Sequence, residues 1–520
     1  MLDCERPSLE RQLLSNQIWE TVAFIAKAAF MLGLTPWMIR TWGAQGYGEF
    51  ALASSTFVLL SLVDLGIRAK TRLALCSAGE KDRAQWPGIL AHGAVTFAAT
   101  GALTICLAAV LTIAGVEQNL FKIATTNRNL LLITTTMSIL VMLSGLLLEP
   151  LVAMGRIGKL KLATAIGWLA AIPAVAFVLS ARGSMIAALV SWLGCLLGAN
   201  LFVLFRSRSV FGRANGFRPQ LGLGKLVATL KEGFWFNICN ATWTLKTYGT
   251  TLLISVLNGP ATAGFFFILL RLSEIISALG AISSDVSLGE LAQASNAEQR
   301  RRSFRSSYSW TVVFCSHIAL ITAFCSRDFF VIWLHPATQM SIFVGTVVAA
   351  LGFASAFNRT ATYAAMGLGM AKTAAKWGIV EASCFMVAIV LASPSFGLLS
   401  QLSVATLSTF TLLPLALAVS GKLGTSSVQV WLQPFRAVAP FVVLSAAVLV
   451  IGNLSESEIA KLFAVLISGA IGFFNVVYCL RADKSALLDK LQKQTAALPN
   501  RYVERVNKTW PEVSVPPSRY

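Results

Sequence analysis

Four cationic side chains fall inside long apolar stretches of this sequence: Lys27, Lys246, Arg271 and Arg359. A charge at mid-depth in hydrocarbon costs about 2.5–3.5 kcal/mol, so four of them are expected to face protein or a water-filled cavity rather than lipid. A cavity walled by cations suits an anionic ligand. Arginine grips phosphate oxygens through paired N–H groups and lysine acts as a compact point charge, so a phosphate or pyrophosphate headgroup fits this set. Glu274 follows Arg271 by one helical turn on the same face, which leaves both ion pairing and substrate contact open for that arginine. Lys246 and Arg359 have no acid within a turn on their own segments and are available unless another helix supplies one. Lys27 shares a face with Glu20, two turns away, and the two are expected to shape one cavity wall.

Polar neighbours accompany the cations. Asn237, Asn240, Thr244, Thr247 and Thr251 recur at helical spacing, as do Ser355, Arg359 and Tyr363. Such stripes either line an aqueous wall or join helices by hydrogen bonds. Glu381 is an intramembrane carboxylate that binds a coupling ion or proton, or packs against a cation. Asp64 and Arg68, one turn apart, read as a structural ion pair. His92, His317 and His335 stand apart, and the 9 cysteines are scattered singly. That pattern offers no triad, no metal-ligand set and no disulfide framework, so no catalytic residue, metal or cofactor is expected.

The elements that must position these groups are membrane helices. Of 520 residues, 56% are hydrophobic and 12% charged, where soluble domains carry about 25% charged residues. The apolar residues come in blocks long enough to cross a bilayer, and only helices satisfy their own backbone there. The expected class is an all-α polytopic membrane protein with about fourteen spans, near 17–40, 47–67, 88–114, 129–153, 162–181, 184–205, 233–257, 262–287, 307–333, 340–366, 374–393, 396–420, 434–453 and 458–480. Glu5, Glu10, Glu20 and Lys27 interrupt the first of these, which is read as a retained span rather than a cleaved signal.

A net charge of +19 is not read as a nucleic-acid surface, because most Lys and Arg fall in alternate connections. Arg68, Lys70 and Arg72, then Arg156, Lys159 and Lys161, then Arg300, Arg301, Arg302 and Arg305 mark one side, while the other side is nearly bare. The bias puts both termini in the cytoplasm. Trp37, Trp42, Trp333 and Trp431 fall at helix ends, as in an aromatic belt. Residues 481–520 form a basic, amphipathic tail suited to anionic membrane lipids.

Ala153-Met154-Gly155 recurs as Ala365-Met366-Gly367, each closing a span before a short basic connection. Gly48 and Gly264, each in a small-residue turn that opens a span, lie at nearly the same offset. The repeat predicts two parallel lobes, 1–205 and 233–420, each of six helices. A basic cytoplasmic linker at 206–232 joins them, and two appended helices lie within 421–480. Substrate is expected between lobes that rock against each other.

Residues 42–76, with WGAQGYGEFALA and LVDLGIRAKTRLAL, resemble the N-terminal signature of Wzx-type O-antigen and exopolysaccharide flippases. Those are members of the multidrug/oligosaccharidyl-lipid/polysaccharide superfamily. AMGRIGKLKLA at 153–163 and AMGLGMAKTAA at 365–375 resemble the paired connections after spans 4 and 10 in that family. The segment after span 8 departs from it, with Asp285 to Glu290 where relatives often carry a proline. The resemblance implies a two-lobed flippase of the bacterial inner membrane that turns undecaprenyl-pyrophosphate-linked oligosaccharide toward the periplasm. Polysaccharide polymerase and chain-length machinery would be its further partners. In the related lipid II flippases, cations on spans 1 and 8 help bind pyrophosphate, and Lys27 and Arg271 correspond by span. A lipid II flippase shares the span number and cationic cavity; the Asp64-Leu65-Gly66 signature favours the polysaccharide group. A multidrug exporter of the superfamily would have twelve spans and acidic sites. A membrane glycosyltransferase or polymerase would carry a larger external loop.

Overall fold

The computed structural model describes residues 9–64, 85–119, 129–154, 157–207, 237–293, 296–334, 342–392, 397–424 and 433–454, with shorter pieces at 67–68, 71–72, 75, 122–123, 234–235, 460–461, 463–472 and 474–475. The basic linker, the C-terminal tail, His335, Trp431 and the side chains of Glu20 and of 285–290 lie outside the described residues.

No strand occurs among the described residues, and each expected span coincides with helix. The first two spans are one unbroken run, α1 (Leu9–Leu59), in which Gly43 at φ 73° and ψ 177° makes the turn between them. That backbone conformation is one that a side chain would strain. α2 (Trp86–Ile113), α3 (Leu130–Leu146), α4 (Ile157–Ser180) and α5 (Met185–Arg206) follow. Ser184 caps α5 by accepting the Ala187 N–H at 3.2 Å. Among these helices Phe30 packs against Trp168 and Trp192 with ring centroids 5.1 and 5.7 Å away.

Span 7 is a helix through 237–244, a π-helical turn at Leu245–Gly249 and α6 (Thr250–Asn258). Gly259, at φ 89°, then reverses the chain into α7 (Pro260–Gln293). This helix continues through the segment that lacks the relatives' proline. α8 (Ala297–Leu334), α9 (Ile342–Gly367) and α10 (Ala371–Ala392) follow. The twelfth span is broken: α11 (Gly397–Ser408) and α12 (Leu413–Leu423) are separated by a 3-10 turn at Thr409–Leu412. Arg301 closes α12 by donating to the carbonyls of Leu423 and Gly424 at 2.6 and 2.8 Å.

Nine helices among the described residues are long and apolar enough to cross a membrane; one of them, at 42 residues, holds the first two spans. The four expected spans outside that set are two shorter apolar helices, Val438–Ile451 and Phe463–Gly472, and spans 7 and 10. Spans 7 and 10 are more polar or broken because they carry Lys246 and Arg359. Residues Met1–Pro434 form one compact unit. The second unit, Phe435–Tyr520, contains most of α13 (Gln433–Leu454) and the helix at Phe463–Gly472.

Within the first unit, α1 packs against α7, and the contact is backbone to backbone. A Cβ on Gly48 would lie 1.9 Å from the Pro260 carbonyl oxygen, and one on Gly264 would lie 2.8 Å from the Gly48 Cα. Two positions matched by offset in the sequence therefore touch each other.

Candidate functional site

Lys246 sits in the π-helical turn of span 7, a widening of the helix that often marks a functional position. It is 3% exposed, and its Nζ lies 2.6 Å from Glu381 Oε1 on α10. The Phe385 ring covers the ammonium at 5.6 Å. Glu381 Oε1 also accepts from Asn358 Nδ2 at 2.8 Å, and the same amide donates to the Thr409 carbonyl at 2.7 Å. Spans 7, 10, 11 and 12 are thus tied through one carboxylate. On sequence alone Lys246 had no acid of its own; the tertiary fold supplies one from span 11, and of the two readings of Glu381 the described geometry shows the ion pair.

Arg271, 6% exposed on α7, donates through NH1 to the Tyr248 hydroxyl at 2.7 Å and to the Glu274 carboxylate. Its guanidinium lies over the Phe267 and Tyr248 rings at 4.3 and 4.8 Å. The pairing left open for this arginine is therefore made. Arg359 on α9 lies between the Trp243 and Tyr363 rings at 5.1 and 5.5 Å. Lys27 on α1 is half-buried and feels the charges of Arg271, Glu274 and Arg359. Cations from spans 1, 8 and 10 thus share one electrostatic neighbourhood.

A cavity of about 310 Å³ opens beside this cluster, with Asn237, Asn240, Lys246, Arg359, Tyr363 and Glu381 on one wall and the Ser61–Asp64 end of span 2 on the other. A second void of about 10 Å³ is bordered by Lys246, Thr247, Ser273, Glu274, Ser277 and Ser355; that is roughly the space of one water. Lys246 lines both. Six of the expected site residues therefore share the larger chamber. Lys27, Arg271 and Glu274 lie outside its wall, which corrects the expectation that Lys27 shapes it, and the Glu20 side chain is not among those described. Among the described residues, the charged side chains on the wall of the larger chamber are Lys246, Arg359, Glu381 and Asp64, two of each sign. Its two cations can meet an anion, and its amides and hydroxyls can hydrogen-bond polar substituents.

Asp64 corrects one expectation. Its carboxylate accepts the backbone N–H of Arg68 at 2.9 Å, and the Arg68 side chain goes elsewhere, to Glu149 at 3.1 Å. Arg72 reaches the other oxygen of Glu149 at 2.8 Å. Glu149 is fully buried and was missed by sequence reading, although an acid beside Pro150 at the end of an otherwise uncharged span was a signal. Asn358, Trp243 and Tyr248 were missed as well. Asn358 adjoins Arg359 in mid-span, a polar pair that was legible; the two aromatics gave no signal beyond their apolar surroundings.

No protein-family model matches the chain, and no curated sequence matches it. Among solved structures, the lipid II flippase MurJ in an inward closed conformation is similar, with a TM-score of 0.68 and 12% identity over 89% of this chain and 99% of that one. An inward-facing multidrug transporter of the MATE family has a TM-score of 0.61 and 12% identity, covering 79% and 96% of the two chains. A transporter of the same superfamily from Pyrococcus furiosus has a TM-score of 0.52 and 12% identity, covering 80% and 97%. At these identities the likeness is one of fold, which this chain shares with those three solved structures.

Proposed function

We propose that this chain is a flippase that moves a polyprenyl-pyrophosphate-linked oligosaccharide from the cytoplasmic to the periplasmic leaflet of a bacterial inner membrane, with both termini in the cytoplasm. The reading is carried by Lys246 and Arg359, two cations that line one chamber in the interior of the helix bundle. Two cations on one wall can grip a phosphate group together, and pyrophosphate is the charged part of such a lipid. Asn237 and Asn240 on the same wall supply donors and acceptors suited to sugar hydroxyls. Rocking of the two lobes about the Gly48–Gly264 contact would expose the chamber alternately.

A lipid II flippase is the second reading, supported by the fold shared with MurJ over most of the chain and by Lys27 on span 1 and Arg271 on span 8 lying within reach of each other's charge. Both substrates present the same pyrophosphate. The discriminating experiment reconstitutes the purified chain in liposomes and compares flipping of a polyprenyl-pyrophosphate oligosaccharide with that of lipid II. Deleting the gene should make the true substrate accumulate on the cytoplasmic leaflet. Arg359→Gln and Lys246→Gln should reproduce that accumulation with the protein still in the membrane. Normal export in both variants would remove the cationic chamber from the function.

A further inference from the structure

Lys246 has no vacant place for a ligand in the structure as it stands. Its ammonium is engaged by Glu381 at 2.6 Å, with the two side chains 4% and 8% exposed, yet both line the 310 Å³ chamber. An anion that enters must therefore compete with a carboxylate tethered at the same cation. Resting on the anion-flippase reading, we propose that Glu381 is a proton-binding site: the headgroup displaces it from Lys246, and the released carboxylate takes up one proton.

The argument is one of burial. A carboxylate that loses its cation inside a dry helix bundle is strongly disfavoured as an ion, and such groups are neutralised rather than left charged. Glu381 keeps Asn358, which is itself fixed to the Thr409 carbonyl at 2.7 Å. A neutral amide cannot replace an ammonium. The remaining charged and titratable groups around the chamber are Arg359 and Tyr363 on span 10, Cys239 on span 7 and Asp64 across the cavity. Arg359 is held between the Trp243 and Tyr363 rings, and in the proposed bound state it faces the same anion as Lys246. Asp64 brings no positive charge that could replace Lys246 at the released carboxylate. The balance is simple: the anion gains the Lys246 contact, the Lys246–Glu381 contact is lost, and one proton from water in the chamber binds the Glu381 carboxylate. No charge is created in the interior beyond that of the ligand less one.

By linkage, an anion that raises proton affinity must bind more tightly when protons are plentiful. The probe is a short-chain prenyl-pyrophosphate sugar, a diester with no titratable group near neutral pH, bound to the purified full chain in detergent. Wild-type affinity should rise by about tenfold for each unit of falling pH. Titrations in two buffers of different ionisation enthalpy should show about one proton taken up per probe bound. Glu381→Gln should bind more tightly and show neither effect. Should that variant misfold, proton uptake by the wild type still decides the matter. Binding by the wild type with no proton uptake and no pH dependence would mean that Glu381 re-pairs within the site, and would overturn this proposal while leaving the flippase reading intact. No probe binding to the wild type at any pH would instead overturn the pyrophosphate reading on which it rests.

Discussion

The Gly48–Gly264 contact sets a sharp steric test. Gly48→Ala places a methyl group 1.9 Å from the Pro260 carbonyl oxygen, 2.3 Å from its carbonyl carbon and 3.0 Å from the Ala261 nitrogen. Ordinary contact begins at about 3.4 Å, so α1 and α7 must separate by more than about 1 Å, and every atom in the way is backbone. Overpacking of that kind costs about 1–3 kcal/mol, which corresponds to a shift of roughly 5- to 150-fold between two conformations. The chamber lies toward the other end of span 2, at Ser61–Asp64, so losing the Gly48-end contact should open that end and close the chamber end. Cys239, which lines the chamber, reports on this. In a chain retaining only that cysteine, its thiol-labelling rate through the chamber mouth should fall by a factor in that range. Gly33→Ala and Gly198→Ala are the controls, because nothing lies within 4 Å of a Cβ at either position; in helix they should be neutral or stabilising by about 0.4–1 kcal/mol. If Gly48→Ala labels and melts like the controls, the two helices do not meet by their backbones and the pivot argument fails.

Arg271→Gln leaves Glu274, 13% exposed, without its cation and should destabilise by about 3–5 kcal/mol; Arg271→Gln with Glu274→Gln should regain much of that in a thermal melt. Glu149→Gln weakens two arginine contacts at a fully buried site and should cost about 1.5–3 kcal/mol, whereas Arg72→Gln, at a side chain 45% exposed, should cost under about 1 kcal/mol. Denaturation of the two variants side by side checks that order. Collapsing an inside-negative potential across liposomes should slow flipping, since each net negative charge moved outward gains up to about 2.3 kcal/mol per 100 mV; an unchanged rate would mean that no net charge crosses. A prenyl-pyrophosphate probe should raise the melting temperature of the wild type, by about 2.7 kcal/mol of stability at a hundredfold excess over its dissociation constant, and Arg359→Gln should reduce that shift.

Local patterns carried the helices. Apolar blocks of bilayer length are set by lipid chemistry, which acts on each segment separately, so residues such as those of α2 and α5 could be placed without knowing any neighbour. The Arg271–Glu274 pair was open to inspection for the same reason, since one turn of one helix contains it. Lys246 and Glu381 were different: each stood alone in sequence, and their contact depends on how span 7 faces span 11. The π-helical turn that carries Lys246 left no mark in the residue pattern, because its polar neighbours keep ordinary helical spacing on either side. Asp64 and Arg68 show the converse error, in which a correct spacing suggested a side-chain pair, but the arginine found a better-buried acid on another segment. The repeat was legible as position and not as contact: Gly48 and Gly264 matched by offset, and their touching follows only once α1 packs on α7.

The arrangement of charge separates the cations by role. Lys246 and Arg271 are buried and each is held by a carboxylate, as dry surroundings demand. Lys27 is half-buried, and Arg359 lies against aromatic faces on the chamber wall, where water and ligand can reach. Lys246 and Arg359 are the two that reach the chamber wall, Lys246 through a carboxylate contact that an entering anion would have to displace and Arg359 beside aromatic faces. In the flippase reading that shared wall is what joins the charge pattern to an anionic cargo.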